Sequence, residues 1–325
     1  MIIIRTLRDK LFKESGTAVA LGIFDGVHLG HQQVLRAVVK KAAAFNLIPC
    51  VFTFAFSQPR PNFKKISAIT GLEATAALLN DIGIKYAVAP DFSSLKDMEP
   101  EEFVRNVLQN SMNAKMICAG ESFTFAKGGA ATADDLVAIA DYLEIKTEII
   151  PTVLMDGNTV SSTRIRALLI SGDMHGANRM LGRTFSIDFP VVSGNKIGRT
   201  LGTPTINQLF PEDFIVPRYG VYATVAKIDS VFYSGVTNVG IRPTIRTPVT
   251  SSPLAETYIN GFSGDLYGRR VEILFIEFIR PEKKFSSLEE LRENIQIDIK
   301  TAEKIVAERR YENAMPDILD SNNKL

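Results

Sequence analysis

Val19-Ala-Leu-Gly-Ile-Phe-Asp-Gly-Val-His-Leu-Gly-His31 joins an apolar run to an amphipathic one, and this junction predicts the fold. The apolar half, through Phe24, has the character of a buried strand, and Asp25-Gly26 supplies turn chemistry. From Gln32 to Phe45 the spacing predicts a helix, with Val34, Leu35, Val38, Val39 and Ala42 on one face and Arg36, Lys40 and Lys41 elsewhere. Strand, glycine turn and helix thus follow directly, and a helix start with free N–H groups is a natural phosphate site. The chain has three histidines, and two of them, His28 and His31, lie in this turn. Three apart, they project to one side if the first turn is helical. A His-x-x-His pair of this kind can cap and pack the helix entrance, hold a metal, or face an anionic ligand.

Outward from this stretch, strand-like and helix-like segments alternate. Leu47–Phe54 reads as a strand, Thr70-Gly-Leu-Glu73 as a capping box opening a helix through about Leu79, and Tyr86–Ala89 as a short strand. Pro100–Leu108 has proline and acids where a helix start favours them. Met116–Ala119, a helix Leu136–Leu143 entered through Thr132–Asp135, and the strand Glu148–Val153 complete the series. Such alternation predicts a parallel sheet with helices on both faces and ligands at the carboxyl ends of its strands. Ser161-Ser-Thr-Arg-Ile-Arg166 then runs into Ala167-Leu-Leu-Ile170. Arginines at the positive end of a helix cost about 0.3–1 kcal/mol each, so two of them suggest a compensating anion. His175, on the stretch Asp173–Leu181, has no such context and reads as a surface residue.

Near Thr184 the pattern changes to short β-rich runs punctuated by Gly, Pro and Asn: 185–192, 221–228, 231–239, 255–259 and 270–279. Their spacing predicts an antiparallel barrel or sandwich. A closing helix begins with a second capping box, Ser287-Leu-Glu-Glu290, and carries Leu288, Leu291, Ile295 and Ile299 near one stripe. The expected organisation is therefore an α/β domain over 1–184, a β-rich domain over 185–312 and a polar tail over 313–325.

The composition excludes several classes. A length of 325 residues, 46% apolar and 22% charged, describes a globular chain of one large or two ordinary domains. A net charge of +1 offers no broad basic surface for nucleic acid or anionic membrane. Cys50 and Cys118 are isolated in apolar stretches, as in a reduced, cytoplasmic protein. Met-Ile-Ile-Ile-Arg5 is too short for a signal-peptide core, and no apolar run reaches spanning length.

Gly22-x-Phe24-Asp25-x-x-His28-x-Gly30-His31 resembles the His-x-Gly-His signature of the nucleotidyltransferase superfamily. In that family the two imidazoles contact ATP phosphates and stabilise charge at the α-phosphorus, the positioned donors that phosphoryl chemistry needs. Ser161, Ser162, Thr163 and Arg166 resemble the same family's second phosphate motif, which implies that they, with Gly22, Phe24, Asp25 and Gly30, surround the ATP. In the C-terminal half, Gly198-Arg199-x-Leu-Gly202-x-Pro-Thr205-x-Asn207 resembles the signature of the riboflavin kinase barrel. There the glycine loop covers the nucleotide phosphates, and Thr and Asn hold Mg²⁺, a hard cation that suits oxygen ligands. Tyr219–Tyr222, Gly235–Thr244, Gly264–Gly268 and Arg280–Phe285 continue the likeness. Glu256, in Leu-Ala-Glu-Thr-Tyr-Ile259, matches that family's glutamate base for the ribityl 5′-hydroxyl.

Together the halves resemble bacterial bifunctional riboflavin kinase/FMN adenylyltransferases, FAD synthetases. The likeness implies a Rossmann-like nucleotidyltransferase domain followed by an antiparallel barrel with a closing helix. It implies two steps: riboflavin and ATP giving FMN in the barrel, and FMN with a second ATP giving FAD in the α/β domain. It places Phe54, Phe123, Phe125 and Arg242 at the flavin, requires only small-molecule partners and ATP with Mg²⁺, and leaves self-association open. Two segments depart from the family: Phe56-Ser-Gln-Pro59 lacks a histidine, and Ser122-Phe-Thr-Phe-Ala126 replaces an Asp-Phe-x-Phe-Gly loop. Both lie near the flavin or ATP pocket in the family, so flavin or redox-state preference of adenylyl transfer is where this chain is expected to differ. A single catalytic domain beside a binding module, and a non-catalytic flavin or nucleotide sensor, are the alternatives.

Overall fold

The computed structural model describes the chain except for residues 9–10, 13–14, 55–66, 195–201, 242–251 and 312–325. Gly198, Arg199, Arg242, the Phe56–Pro59 segment and the 313–325 tail lie outside the described residues. Two compact units form, Met1–Ser162 and Thr163–Leu325.

The first unit is a six-stranded sheet in the order β1-β4-β3-β2-β5-β6, every pair parallel. Its strands are β1 (Ile2–Ile4), β2 (Thr17–Leu21), β3 (Ile48–Phe52), β4 (Tyr86–Val88), β5 (Ala114–Gly120) and β6 (Lys146–Ile150). All of β2 is buried, which is why its sequence is continuously apolar rather than alternating. Ala18 and Ala20 meet Val34, Leu35, Val38 and Ala42 of α1 (Leu29–Phe45). On the opposite face, Val19 and Leu21 join Phe103, Val104, Val107, Leu108, Leu136 and Ala140. The chain goes from β2 to β3 on one side and later returns to β5 on the other. That reversal opens a crevice at the carboxyl end of β2, where doubly wound sheets take ligands.

Local differences from the sequence expectation have physical causes. The opening Ile-Ile-Ile is an edge strand, too short to register as a periodic segment. α2 (Leu72–Ile82) has Gly71 rather than Thr70 as its N-cap, without a side-chain bond from that residue, and the Thr70 N–H donates to Asp25 Oδ1. Helix α3 (Pro100–Glu102) starts on its proline as expected, then widens into π-helical turns over Phe103–Ser111. Its buried residues, Phe103, Val107 and Ser111 beside Val104 and Leu108, recur every four positions, which the wider turn keeps on one face. Helix α4 (Ala133–Tyr142) begins with a complete capping box between Thr132 and Asp135.

A hairpin of β7 (Leu154–Met155) and β8 (Asn158–Thr159) precedes the second unit. That unit starts at Thr163, in the first turn of α5 (Ser162–Ser171), and continues through α6 (Met174–Leu181), ahead of the change of pattern near 183–186. Both helices are tied to β-rich chain: the Arg218 N–H donates to Leu169 O (3.0 Å), and Asn178 bridges Phe275 O (3.0 Å) and the Phe185 N–H (2.7 Å). His175 is exposed on α6.

Of the two antiparallel forms expected, the chain adopts the closed barrel, in the order β10-β13-β12-β11-β14-β9. Its strands are β9 (Ser186–Val192), β10 (Thr205–Leu209), β11 (Gly220–Ile228), β12 (Val231–Ile241), β13 (Pro253–Ile259) and β14 (Arg270–Arg280). β10 lies inside the stretch read as a glycine-rich loop. The seam between β9 and β10 has only two paired positions, and buried Gln208 reinforces it, donating to Phe189 O (2.6 Å) and Val271 O (2.8 Å). Inside, the hydroxyls of Thr224, Thr237 and Thr257 form a chain with 2.9 Å steps, satisfying one another across β11, β12 and β13.

The last helix, α7 (Leu288–Tyr311), lays Ala302 and Val306 on Ala223, Val225, Leu274 and Ile276. Leu288 is 59% exposed, so the apolar stripe starts later than its sequence spacing suggests. The cap also differs: the Glu290 N–H donates to Ser287 Oγ, but the Glu290 carboxylate accepts from Ser286 N–H (2.8 Å) and Oγ–H (2.7 Å).

Candidate functional site

Between β2 and α1 the backbone takes left-handed conformations at Phe24 (φ 55°), Gly26 (φ 80°) and Val27 (φ 38°). Such angles cost a bulky or β-branched residue about 1–3 kcal/mol and persist only where surroundings fix them. Several bonds do so here. Asp25 Oδ1 accepts from the Ile69 N–H (2.9 Å), Thr53 Oγ1 donates to Ile23 O (3.1 Å), and Gln32 Nε2 donates to Val27 O (3.0 Å). Ser162 Oγ donates to Asp25 O (2.9 Å), so one residue of the second phosphate motif secures the turn of the first. Phe24 is 1% exposed and sets its ring edge-on to His31 at 5.3 Å.

This turn delivers His28 as the N-cap of α1, with Nδ1 accepting the His31 N–H at 3.3 Å. The rings of His28 and His31 stack with centroids 3.6 Å apart and planes 17° apart. With Nδ1 used as an acceptor, neutral His28 carries its proton on Nε2 and remains a donor there. Gly30 gives the ring room, since a Cβ would lie 3.2 Å from His28 Cε1. Of the readings open at the sequence level, capping is met directly. Two stacked rings do not converge their lone pairs on one ion, and no cluster of three or more His, Cys, Asp or Glu suited to a metal occurs among the described residues. Ser161 is half-buried before α5, while Thr163, exposed, and Arg166, half-buried, lie on α5 itself.

Aromatic side chains gather beyond the carboxyl ends of β3, β4 and β5. Phe54 meets Phe92 edge-on at 4.9 Å, and Phe123 stacks on Phe125 at 5.7 Å. Phe125 is buried against Phe103, so it backs Phe123 rather than offering an open face. Phe92 joins this group although sequence patterning gave it no role; its signal was an aromatic just past a strand end.

On the barrel, β10 pairs with β13 and β13 with β12 so that Asn207, Glu256 and Asn238 form one row across three strands. Thr205 is two residues before Asn207 and shares its face. Asn207 is buried and Glu256 exposed. Gly194 admits the Asn207 amide, for a Cβ there would collide with Nδ2. Gly202, in the left-handed region at φ 75°, turns the chain into β10. The row joins carboxamide, carboxylate and carboxamide. Thr205 and Asn207 add hard oxygen donors that fit a magnesium ion.

Comparison with known proteins agrees with both halves. A family model described as FAD synthetase matches residues 11–164, and one described as riboflavin kinase matches residues 181–306. The bifunctional riboflavin kinase/FMN adenylyltransferase of Pseudomonas fluorescens is 33% identical over 310 residues, covering 94% of this chain and 98% of that protein. The protein of the same name from Listeria monocytogenes is 31% identical, covering 86% and 89%. A crystal structure described as a macrolide-efflux protein from Streptococcus pneumoniae superposes with a TM-score of 0.80 at 28% identity, covering 93% of this chain and 99% of that one. No helix among the described residues is long and apolar enough to cross a membrane. With two sites on two units, each matched by its own family model and both spanned by these relatives, the chain belongs to the family of bifunctional riboflavin kinase/FMN adenylyltransferases.

Proposed function

We propose that this chain makes FAD in two steps, phosphorylating riboflavin with ATP on the barrel and adenylylating FMN with a second ATP on the α/β unit. The observation that carries the reading is that each unit has its own constellation for phosphate chemistry: stacked His28 and His31 at a helix start, and the row Asn207–Glu256–Asn238 on the barrel.

On the barrel, Glu256 takes the proton of the ribityl 5′-hydroxyl as that oxygen attacks the γ-phosphorus and ADP leaves. A positioned carboxylate in this role contributes about 10²–10⁴-fold. Thr205 and Asn207 would hold Mg²⁺, which neutralises phosphate charge when bound. On the α/β unit, a phosphate oxygen of FMN attacks the α-phosphorus of ATP and pyrophosphate leaves. His28, through Nε2–H, and His31 stabilise the charge that develops, aided by the positive end of the α1 dipole. Ser161, Ser162, Thr163 and Arg166 are assigned to the triphosphate, and Phe54 and Phe123 to the flavin ring. The proposed compartment is the cytoplasm, in keeping with two buried, unpaired cysteines.

Purified protein supplied with Mg²⁺, ATP and either riboflavin or FMN, aerobically and under reduction, tests this by chromatography of the products. FMN and FAD from riboflavin are expected. FMN alone in every tube would remove the adenylyl step, and FAD from FMN without any FMN from riboflavin would remove the roles of Thr205, Asn207 and Glu256.

A further inference from the structure

The row that contains Glu256 has a second amide whose place in the fold calls for a role. Asn238 pairs with Glu256 on the side opposite Asn207. Side chains directly opposite on neighbouring strands have Cβ atoms about 4.5–5.5 Å apart, within reach of an amide and a carboxylate. Asn238 is half-buried, and its Nδ2 lies 3.4 Å from Oε1 of Glu282, which follows β14. Glu282 reaches this place only because β12 has glycine at 240, where a Cβ would collide with that same Oε1. One amide nitrogen has two hydrogens: with one directed at Glu282, the other is free to address the Glu256 side of the row.

We infer that Asn238 is a positioning residue for riboflavin phosphorylation, holding the Glu256 carboxylate toward the substrate hydroxyl while Glu282 fixes the amide. The chemistry favours an amide at this point. A lysine or arginine would also orient the carboxylate, but its charge would lower the carboxylate's basicity. An acid would repel it. A neutral donor orients the base and leaves its proton affinity in place. The inference rests on the proposed role of Glu256 as base.

The test uses the full-length chain and measures kcat and KM for riboflavin and ATP, with riboflavin affinity by fluorescence, in Asn238→Ala, Asn238→Asp, Glu282→Ala and Glu256→Gln. Loss of positioning is expected to lower kcat about 10- to 100-fold in both Asn238 variants. KM and riboflavin affinity should stay within about twofold of the parent, and Glu282→Ala should show a smaller kcat loss of the same kind. Aspartate has the shape of asparagine without its N–H donor. Recovery of kcat in Asn238→Asp would therefore reduce the residue to packing and overturn the inference, as would a loss confined to KM. Wild-type turnover in Glu256→Gln would remove the base itself. Collapse there, with unchanged kcat in both Asn238 variants, would overturn the positioning role alone.

Discussion

His28 both caps α1, accepting the His31 N–H at Nδ1, and stacks on the His31 ring at 3.6 Å. The cap and the proposed chemistry therefore meet in one side chain, and substitution can separate them. Asparagine keeps an oxygen for the cap, whereas alanine removes it, at a cost of about 0.5–2 kcal/mol. His28→Asn should melt close to the parent and His28→Ala lower. Both should lose about 10²–10³ in the rate of FAD formation from FMN, the scale for removing a donor aimed at transition-state charge. Riboflavin phosphorylation by the same preparations should be unchanged.

Gly194 and Asn207 pose the matching question on the barrel. A Cβ at Gly194 would collide with Asn207 Nδ2, and Asn207 stands beside Glu256 in the cross-strand row. Gly194→Ala should turn the amide away and lower riboflavin phosphorylation by at least tenfold, with higher Mg²⁺ needed for half-maximal rate. FAD formation from supplied FMN should be unaffected. Equal loss of both activities would point to misfolding instead.

The sequence revealed what local chemistry determines. The buried run Val19–Phe24, the glycine turn and the stripe Val34-Leu35-Val38 required one answer, a strand passing through a tight turn into a helix, and the structure has it. The alternation of elements likewise implied the parallel sheet. What stayed hidden depends on partners distant in the chain. Asp25 is held by backbone N–H groups 44 and 45 residues away, a pairing that no local spacing shows. Asn238 was visible within a glycine-flanked motif, yet its role depends on strand register, which the barrel sets. β10 was hidden by its surroundings: Gly202, Pro204, Thr205 and Asn207 are the vocabulary of loops, and here two of them, Thr205 and Asn207, lie in a strand.

Arg280 and Asp298 form a two-point ion pair, Nε to Oδ1 at 2.9 Å and Nη2 to Oδ2 at 2.7 Å, tying the end of β14 to α7. The Asp298 side chain is 6% exposed and that of Arg280 23%. Removing one partner from a buried pair typically costs about 3–5 kcal/mol, because it strands the other charge. The partial exposure of Arg280 puts Asp298→Ala at about 3 kcal/mol by urea denaturation. The double variant Arg280→Met/Asp298→Leu should recover most of that loss. If it is no more stable than Asp298→Ala, stranded charge is not the cause.

Burial pushes the thiols of Cys50 and Cys118 up to about 12; near Cys118, Glu148 reinforces the shift and Lys41 opposes it. At pH 8 the thiolate fraction is then on the order of 10⁻⁴, and both side chains are closed to solvent. In native protein neither should react with a thiol reagent over an hour, and both should react at once in guanidinium. Fast labelling of the native state would mean that the sheet opens locally on that timescale.

Glu290 provides a pH test of the α7 cap. Hydrogen bonds from Ser286, first its backbone N–H, together with Lys283, hold the Glu290 carboxyl down to about 2. For a carboxylate with a depressed pKa in the folded state, the stabilisation is fully present above the ordinary value near 4.5. It is lost as pH falls from there through about 2. The cap should therefore survive acidification to pH 3, well below the point at which an unpaired glutamate is protonated. The amide resonance of Ser286 should titrate with a midpoint near 2, and in Ser286→Ala, which keeps the N–H but loses the hydroxyl, the midpoint should move up toward 4.5. A Ser286 amide that already titrates near 4.5 in the parent would mean that the carboxylate does not hold this end of α7, leaving Ser287 Oγ and the Glu290 N–H as its cap.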